Sequence, residues 1–161
     1  MNDRDRTYLS RCVELAEEAL RSGNDPFGSL LVSQAGEVLF EDHNRTASGD
    51  ATGHPEFAIA RWAASHLTPE ERSGATVYTS GEHCPMCSAA HGWAGLGRIV
   101  YASSAAQLTA WLEEFGVPPA PVNPLPIGAV LREVTVEGPE FSLSERLREL
   151  HRQNVARSPG S

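Results

Sequence analysis

The order of hydrophobic and polar positions predicts helices and strands that alternate along the chain. Apolar residues recur every three or four positions over residues 4–22, which predicts a helix with one buried face. Two short apolar runs, residues 29–33 and 37–41, flank a glycine-containing turn at 34–36 and predict a β-hairpin. The segment 43–53 is polar and contains glycine, so we expect a loop there.

The central part of the chain continues this alternation. An apolar pattern that begins at residue 55 predicts a helix packed between a sheet and its neighbours. Strands are predicted at 75–79 and 98–102, with a helix of small residues after position 88 between them, and a further helix follows at 105–115. These elements predict a chain of the α/β class.

The C-terminal part begins with a proline-rich stretch. Five of the eleven prolines fall within residues 117–128, so we expect a loop and exclude a helix or a central strand. The alternation at Val130, Arg132, Val134 and Val136 predicts a last strand, and residues 142–156 predict a terminal helix. Because a helix separates the last two strands in sequence, these strands are expected to pair in parallel.

Length and composition indicate the number of domains and the cellular compartment. The 161 residues suit one domain, which we place at residues 1–157 with a disordered tail at 158–161. The chain contains no apolar run near the roughly 20 residues of a membrane span, and its start is not a signal peptide. Three cysteines provide no disulfide framework and fit a reducing compartment. We therefore expect a cytoplasmic protein that does not contact a membrane.

The charge distribution bears on the choice of partner. The formal net charge is −8, and all thirteen basic residues are arginines. These arginines are scattered before residue 140, and glutamates interrupt the cluster that follows it. A protein that binds a polynucleotide normally neutralises several phosphates with clustered basic residues. A nucleic-acid partner is therefore not expected.

Two short motifs carry the candidate chemistry, His54-Pro55-Glu56 and Cys84-Pro85-Met86-Cys87. A catalytic zinc ion takes three protein ligands and leaves its fourth position to water, and His54, Cys84 and Cys87 match that count. Glu56 falls in the first turn of a predicted helix, where it could face the same cavity without binding the metal and could transfer protons. The motifs therefore predict a catalytic Zn²⁺ site with Glu56 as the acid–base residue.

Two alternatives use the same cysteines. A Cys-x-x-Cys pair also occurs as a redox pair, but nothing else in the chain matches the pattern around such a pair. A closed structural zinc site needs a fourth ligand of its own. The remaining cysteine, Cys12, falls within the first amphipathic helix, where a small buried thiol is the ordinary interpretation. The catalytic interpretation is therefore favoured.

At these residues the chain resembles the zinc-dependent cytidine deaminase-like superfamily, whose signature is His-x-Glu followed by Pro-Cys-x-x-Cys. The resemblance covers roughly residues 1–104, is strongest to the branch of guanine, cytosine and tRNA adenosine deaminases, and includes Pro26-Phe27-Gly28 and Asn44-Arg45. It implies a three-layer α/β/α sandwich around a mixed five-stranded sheet. It also implies a homodimer that forms through the slim helix after residue 88.

The resemblance suggests three substrate contacts and shows two departures. Phe27 and Asn44 stand where relatives line the base pocket, although Phe27 could instead be a core side chain and Asn44 a solvated turn residue. His83 stands where the family has proline before the first cysteine, so it either contacts substrate or only replaces a loop proline. Pro55 departs from the usual small residue, and helices tolerate proline at their first position.

The resemblance implies hydrolytic deamination, in which water replaces a ring amine, ammonia leaves and a carbonyl remains. A free nucleobase or nucleoside, guanine-like or cytosine-like, is the first choice of substrate because the chain is compact and acidic. A tRNA adenosine deaminase is the second, favoured by the Cys-Pro-Met-Cys motif and opposed by the charge and the proline-rich loop. An inactive binding module with this fold is the third, and the intact motifs argue against it.

Overall fold

The computed structural model describes residues 1–158, and within them the chain forms a five-stranded sheet covered by helices. Residues 159–161 of the predicted tail lie outside this range. The strands are β1 (Gly28–Val32), β2 (Val38–His43), β3 (Thr76–Gly81), β4 (Ile99–Ser103) and β5 (Val136–Glu137). The helices are α1 (Asp3–Arg21), α2 (Pro55–His66), α3 (Pro69–Gly74), α4 (Pro85–Ala94), α5 (Ala105–Glu114), α6 (Ile127–Val130) and α7 (Ser144–Arg157).

The sheet is mixed, with the strand order β2-β1-β3-β4-β5. Strand β1 pairs antiparallel with both β2 and β3, whereas β3, β4 and β5 run parallel to one another. Parallel neighbours need a crossover connection, which α4 provides between β3 and β4 and α5 and its loop provide between β4 and β5. The predicted mixed sheet with a parallel last pair is therefore confirmed.

Hydrophobic side chains on the two faces of the sheet form separate cores. Leu30 and Val32 of β1 face α1, α5 and α7, whereas Leu31 of the same strand faces α2. Successive strand residues point to opposite faces, so one strand serves both cores. The result is the predicted three-layer α/β/α sandwich, with the site motifs on the α2 and α4 side.

The last strand is much shorter than the sequence predicts. Of the predicted alternating stretch, only Val136 lies in β5, and Val130 ends the short helix α6. The side chain of Ile127 is fully buried and its amide donates to Glu82 Oε1 at 2.9 Å, so a tertiary contact anchors helix α6 in place of a strand. Pro139 follows two residues after β5 and has no amide to extend the ladder. The prediction of a strand from Val130 was therefore wrong over most of its length.

The proline-rich segment is irregular as predicted over residues 117–126, and its last two residues belong to α6. The terminal helix α7 closely matches the predicted range. Across residues 1–158, each helix is too short or too polar to traverse a lipid bilayer.

Candidate active site

The two sequence motifs meet because each begins a helix on the same face of the sheet. His54 immediately precedes α2 and Cys84 immediately precedes α4, and the two helices pack against each other. Proline occupies the first position of both helices, where its missing amide costs no intrahelical hydrogen bond. The first turns of α2 and α4 therefore present their side chains to a common point.

The ligand atoms of three residues converge there. His54 Nδ1 lies 3.5 Å from Cys84 Sγ and 3.5 Å from Cys87 Sγ, and the three atoms lie within 4.8 Å of one another. A tetrahedral zinc ion with Zn–S bonds of about 2.3 Å and Zn–N of about 2.0 Å separates such atoms by roughly 3.5 Å. One imidazole and two thiols also form a donor set that zinc prefers. Both the spacing and the chemistry of the three residues fit a zinc ion.

The electrostatics around the cysteines favour a cation. Hydrogen bonds from the Cys87 thiol and from His54 lower the pKa of Cys84 to about 4. The neighbouring Cys84 sulfur and burial raise the pKa of Cys87. A dication bound between the two sulfurs would stabilise both as thiolates. The His54 pKa is raised by its hydrogen bond with Cys84.

Glu56 lies beside the three ligand atoms and is not one of them. Its side chain is buried, and its Oε1 accepts hydrogen bonds from Thr79 Oγ1 at 2.7 Å and Ser29 Oγ at 2.9 Å. Its Oε2 lies 3.8 Å from Cys87 Sγ. Burial raises the pKa of Glu56 above that of an exposed glutamate. This carboxyl is therefore placed to exchange protons next to a metal-bound substrate or water.

Asn44 and Phe27 lie on adjoining loops next to α2. Asn44 is 2% exposed, and its backbone amide donates to the carbonyl oxygen of Phe27 at 2.9 Å. Asn44 Oδ1 accepts from the amide and the hydroxyl of Thr46, at 3.0 and 2.8 Å. These are the bonds of a turn asparagine that is buried and not solvated, and the predicted substrate contact of Asn44 stays a prediction. Phe27 packs against Gly81, where an added Cβ would lie 3.1 Å from its ring.

His83 is buried away from solvent, and its ring packs edge-on against His91 with centroids 5.3 Å apart. Within residues 1–158 its Nδ1 has no hydrogen-bond partner. His83 is not one of the three converging ligands, and the described residues that line the cavity next to Phe27 do not include it. Its predicted substrate contact stays a prediction.

A cavity of about 900 Å³ opens beside Phe27 and Thr46. The end of α5, through Leu112, and α7, through His151 and Asn154, also line it. Asn154 Nδ2 donates to Asp25 Oδ1 at 2.8 Å, which ties α7 to the loop that carries Phe27. The cavity therefore joins the candidate base-binding loops to the C-terminal helix.

His151 is one of the cavity residues that the sequence analysis missed. It is 4% exposed, and burial lowers its pKa to about 4, so its ring is neutral at pH 7. A neutral imidazole offers one hydrogen-bond donor and one acceptor. A helical period supplied the signal, because Leu147 and Leu150 are buried on the same side of α7. The helical period indicates that His151 lies on the buried side of α7, but it does not indicate that a cavity lies on that side.

A mixed α/β/α sheet with a His-Cys-Cys group at two helix N-termini and a buried glutamate beside it defines a zinc-binding domain of a deaminase type. The chain belongs to the family described as the cytidine and deoxycytidylate deaminase zinc-binding region, whose model matches residues 2–103. Zinc is the metal of that family, and His54, Cys84 and Cys87 are positioned to bind a metal ion.

Individual relatives act on different substrates. A probable cytosine deaminase of Schizosaccharomyces pombe is 30% identical over 141 residues, which cover 86% of each chain. A tRNA-specific adenosine deaminase of Agrobacterium fabrum is 36% identical over 102 residues, 60% of this chain and 64% of that protein, so the match spans less than two thirds of its length. The crystal structure of a Bacillus subtilis guanine deaminase is 27% identical with a TM-score of 0.57, and covers 100% of this chain and 98% of that one.

Proposed function

We propose that this protein is a zinc-dependent hydrolytic deaminase of a free nucleobase or nucleoside. The observation that carries the proposal is the position of Glu56, which is buried beside the atoms of His54, Cys84 and Cys87 without belonging to that group. A structural zinc site does not require an unliganded buried carboxylate, whereas a hydrolytic site requires a proton carrier.

The three ligand residues hold the metal, and Glu56 moves the protons. Zinc bound by an imidazole and two thiolates supplies a Lewis acid that makes water nucleophilic near neutral pH. Glu56 Oε2 takes a proton from that water and delivers it to the ring nitrogen next to the amine-bearing carbon. The same carboxylate then passes the second water proton to the amine. The carbon–nitrogen bond breaks, ammonia leaves and a carbonyl remains, so one water is consumed for each ammonia.

The cavity beside Phe27 is the proposed binding space for a small heterocyclic substrate; Glu56 and the three candidate metal ligands are not among the described residues that line it. Phe27 and His151 lie next to each other in the cavity wall, where Phe27 offers an aromatic ring and the neutral ring of His151 offers a donor and an acceptor. The edges of guanine-like and cytosine-like rings also present donors next to acceptors, so His151 suits such an edge. We place the base in the cavity against these two side chains, whose rings touch each other edge-on, so that it lies beside them and not between them.

Three of the four arginines of α7 do not favour a polynucleotide, whereas the fourth, Arg157, lines the cavity and donates to the carbonyl oxygens of Leu20 and Asn24. Arg146 pairs with Glu17 at 2.6 Å, Arg148 with Glu114 at 2.6 Å and Arg152 with Glu149 at 2.7 Å. Guanidinium groups that are already paired with carboxylates are less available to neutralise phosphates. The relatives described as cytosine and guanine deaminases also support a free base as the substrate. Because one relative is described as a tRNA-specific adenosine deaminase, tRNA is the alternative substrate.

We also propose that the protein forms a homodimer through α4. Trp93 on this helix is 92% exposed, and an aromatic ring of that size is typical of an interface. His91 on the same helix is buried and bonds through Nε2 to the carbonyl oxygen of Gly97, so it does not offer its ring to this contact. Light scattering of the wild type and of Trp93→Ala tests the proposal, which a monomeric wild type would contradict.

The decisive experiment measures ammonia release from a panel of free bases and nucleosides. The panel includes guanine, guanosine, cytosine, cytidine, adenine, adenosine and triazine analogues, and the protein is loaded with zinc. Glu56→Gln is the matched blank because it keeps the size of the side chain and removes the proton carrier. We expect at least one compound to release ammonia with the wild type and not with the variant.

Other outcomes are equally informative. Equal activity of wild type and Glu56→Gln would contradict the role of Glu56. If fully metallated protein releases no ammonia from any compound of the panel, a free base or nucleoside is rejected as the substrate. We would then test tRNA, for which salt-sensitive binding is the expected sign of a polynucleotide substrate. Silence with tRNA as well would favour a binding module.

A further inference from the structure

Two hydroxyl groups lie on the otherwise apolar face of the sheet that packs against α2. Ser29 of β1 and Thr79 of β3 are direct cross-strand partners, and both side chains are fully buried. Their nearest neighbours on the same face, Leu31 and Val77, belong to the hydrophobic core beneath α2. Burying a hydroxyl in such a place is unfavourable unless it forms a hydrogen bond. The partner of both hydroxyls is the carboxyl of Glu56.

The three side chains form a closed triangle of oxygen atoms. Thr79 Oγ1 lies 2.7 Å from Glu56 Oε1, Ser29 Oγ lies 2.9 Å from the same oxygen, and the two hydroxyl oxygens are 2.9 Å apart. Thr79 Oγ1 also lies 2.9 Å from the carbonyl oxygen of Gly81. Each hydroxyl has one proton to donate, and an ionised carboxylate only accepts. Hydrogen bonds to a charged acceptor are the stronger ones, so the Thr79 hydroxyl donates to Oε1, and the Ser29 hydroxyl lies within donating distance of both Oε1 and Thr79 Oγ1.

The two oxygens of Glu56 therefore have different surroundings. Oε1 lies within hydrogen-bond distance of two hydroxyls from the sheet, both on the same side of this oxygen. Oε2 points to the other side, toward Cys87 Sγ at 3.8 Å and the candidate metal ligands. A carboxyl held in this way cannot exchange its two oxygens by rotation without breaking at least one buried hydrogen bond.

We propose that Ser29 and Thr79 are positioning residues that hold Glu56 Oε1 and leave Oε2 as the single oxygen that transfers protons. The inference rests on the proposed deaminase function and specifies how its acid–base group is oriented. Water gives one proton to Oε2, the ring nitrogen receives that proton, and the second water proton reaches the amine by the same oxygen. The hydroxyls take no proton in either step.

Three variants separate orientation from packing. Thr79→Val keeps the shape of the side chain and removes the hydroxyl, Ser29→Ala removes the other hydroxyl, and Thr79→Ser keeps the hydroxyl and removes a methyl group. Each is compared with the wild type for zinc content, thermal unfolding, kcat and KM, with the substrate found in the panel. Crystal structures of the zinc-loaded wild type, Thr79→Val and Thr79→Ser then show the orientation of the Glu56 carboxylate, a measurement that needs no activity.

We expect Thr79→Val and Ser29→Ala each to lower kcat roughly 10- to 100-fold, because small misplacement of a reacting group has effects of this size. KM should stay within about twofold and zinc content should not change, since the loss is confined to the chemical step. Thr79→Ser should recover most of kcat. In the crystal structures, the carboxylate should rotate or adopt two orientations in Thr79→Val and keep one in Thr79→Ser.

Unchanged kcat in both hydroxyl-deletion variants, or an unmoved carboxylate in Thr79→Val, would overturn the proposal. Thr79→Ser that is as impaired as Thr79→Val would do so too, because it would show that the methyl group and not the hydroxyl matters. A wild type without activity would instead reject the proposed function, and the crystal structures would still decide whether the two hydroxyls orient Glu56.

Discussion

The ring of His151 lies edge-on against the ring of Phe27, with their centroids 5.0 Å apart, although 123 positions separate them in the chain. The contact brings α7, which lies beyond the residues matched by the family model, against the start of β1 at the cavity. Residues outside the shared zinc-binding region therefore help to line the cavity beside Phe27.

We predict that His151→Leu weakens substrate binding. Leucine fills a similar volume but cannot donate to or accept from the edge of a heterocycle, and losing one such hydrogen bond costs roughly tenfold in affinity. KM should rise accordingly, while zinc content stays the same. Exposed His66→Leu is the matched control and should leave KM unchanged. A normal KM in His151→Leu would show that the substrate does not contact this ring.

Metal content should depend on two of the three cysteines. Cys87→Ala removes one of the converging ligand atoms, so we expect it to lose zinc and activity together. Cys12→Ala changes a thiol that lies in the other core, beneath α1, and should retain one zinc per chain. Elemental analysis of dialysed protein measures the difference. Full zinc occupancy in Cys87→Ala would contradict the ligand assignment.

Chelation of the metal should abolish activity but leave the fold in place. The two hydrophobic cores are formed by side chains on both faces of the sheet and do not depend on the ligand group. Circular dichroism should therefore show nearly unchanged helix content after treatment with a chelator, and added zinc should restore activity. Unfolding on chelation would indicate that the metal is structural.

Stability should fall in acid because of Asp5. The hydrogen bonds from Arg98, at 2.8 and 3.0 Å, hold the pKa of Asp5 below its usual range, and Tyr78 donates to the same carboxylate at 2.7 Å. A depressed folded-state pKa contributes stability that is complete above the unfolded pKa of about 3.9 and is lost as the pH falls toward the folded value.

Asp5→Asn tests this contribution by denaturant unfolding at several pH values. We expect the variant to be less stable at pH 7 by about 2 kcal/mol and to lose less stability than the wild type below about pH 4. Asp3→Asn, at an exposed site in the same turn, is the control. Parallel pH profiles for wild type and Asp5→Asn would show that another group controls the acid transition.

Gly28 should not tolerate a side chain. An added Cβ would lie 2.4 Å from the carbonyl oxygen of Cys12 and 2.4 Å from Leu15 Cβ, where α1 crosses β1. Gly28→Ala should lower the free energy of unfolding by about 1–3 kcal/mol, as expected for overpacking. Gly128→Ala meets open space and should be neutral in the same denaturation assay. Equal stability of both variants would contradict the close approach of α1 to β1.

Features that depend on neighbouring residues in the chain were predicted correctly, whereas features that depend on distant residues were not. The β-hairpin, the helices that start at the two motifs and the parallel last pair were predicted because hydrophobic period and element order report them directly. The last strand was predicted too long, since four alternating positions carry little information. Buried Ile127 and its hydrogen bond to Glu82 outweighed that alternation.

The sequence by itself determined the metal chemistry: a His-x-Glu motif and a Cys-x-x-Cys motif, each at the start of a helix, carry their donor types and their spacing within a few residues. Only the tertiary structure decided what surrounds Glu56 and the cavity. Ser29 and Thr79 meet through the pairing of β1 with β3, and His151 reaches Phe27 through the packing of α7. Such contacts join distant parts of the chain, and a local pattern of hydrophobic and polar residues does not specify which distant residues become neighbours.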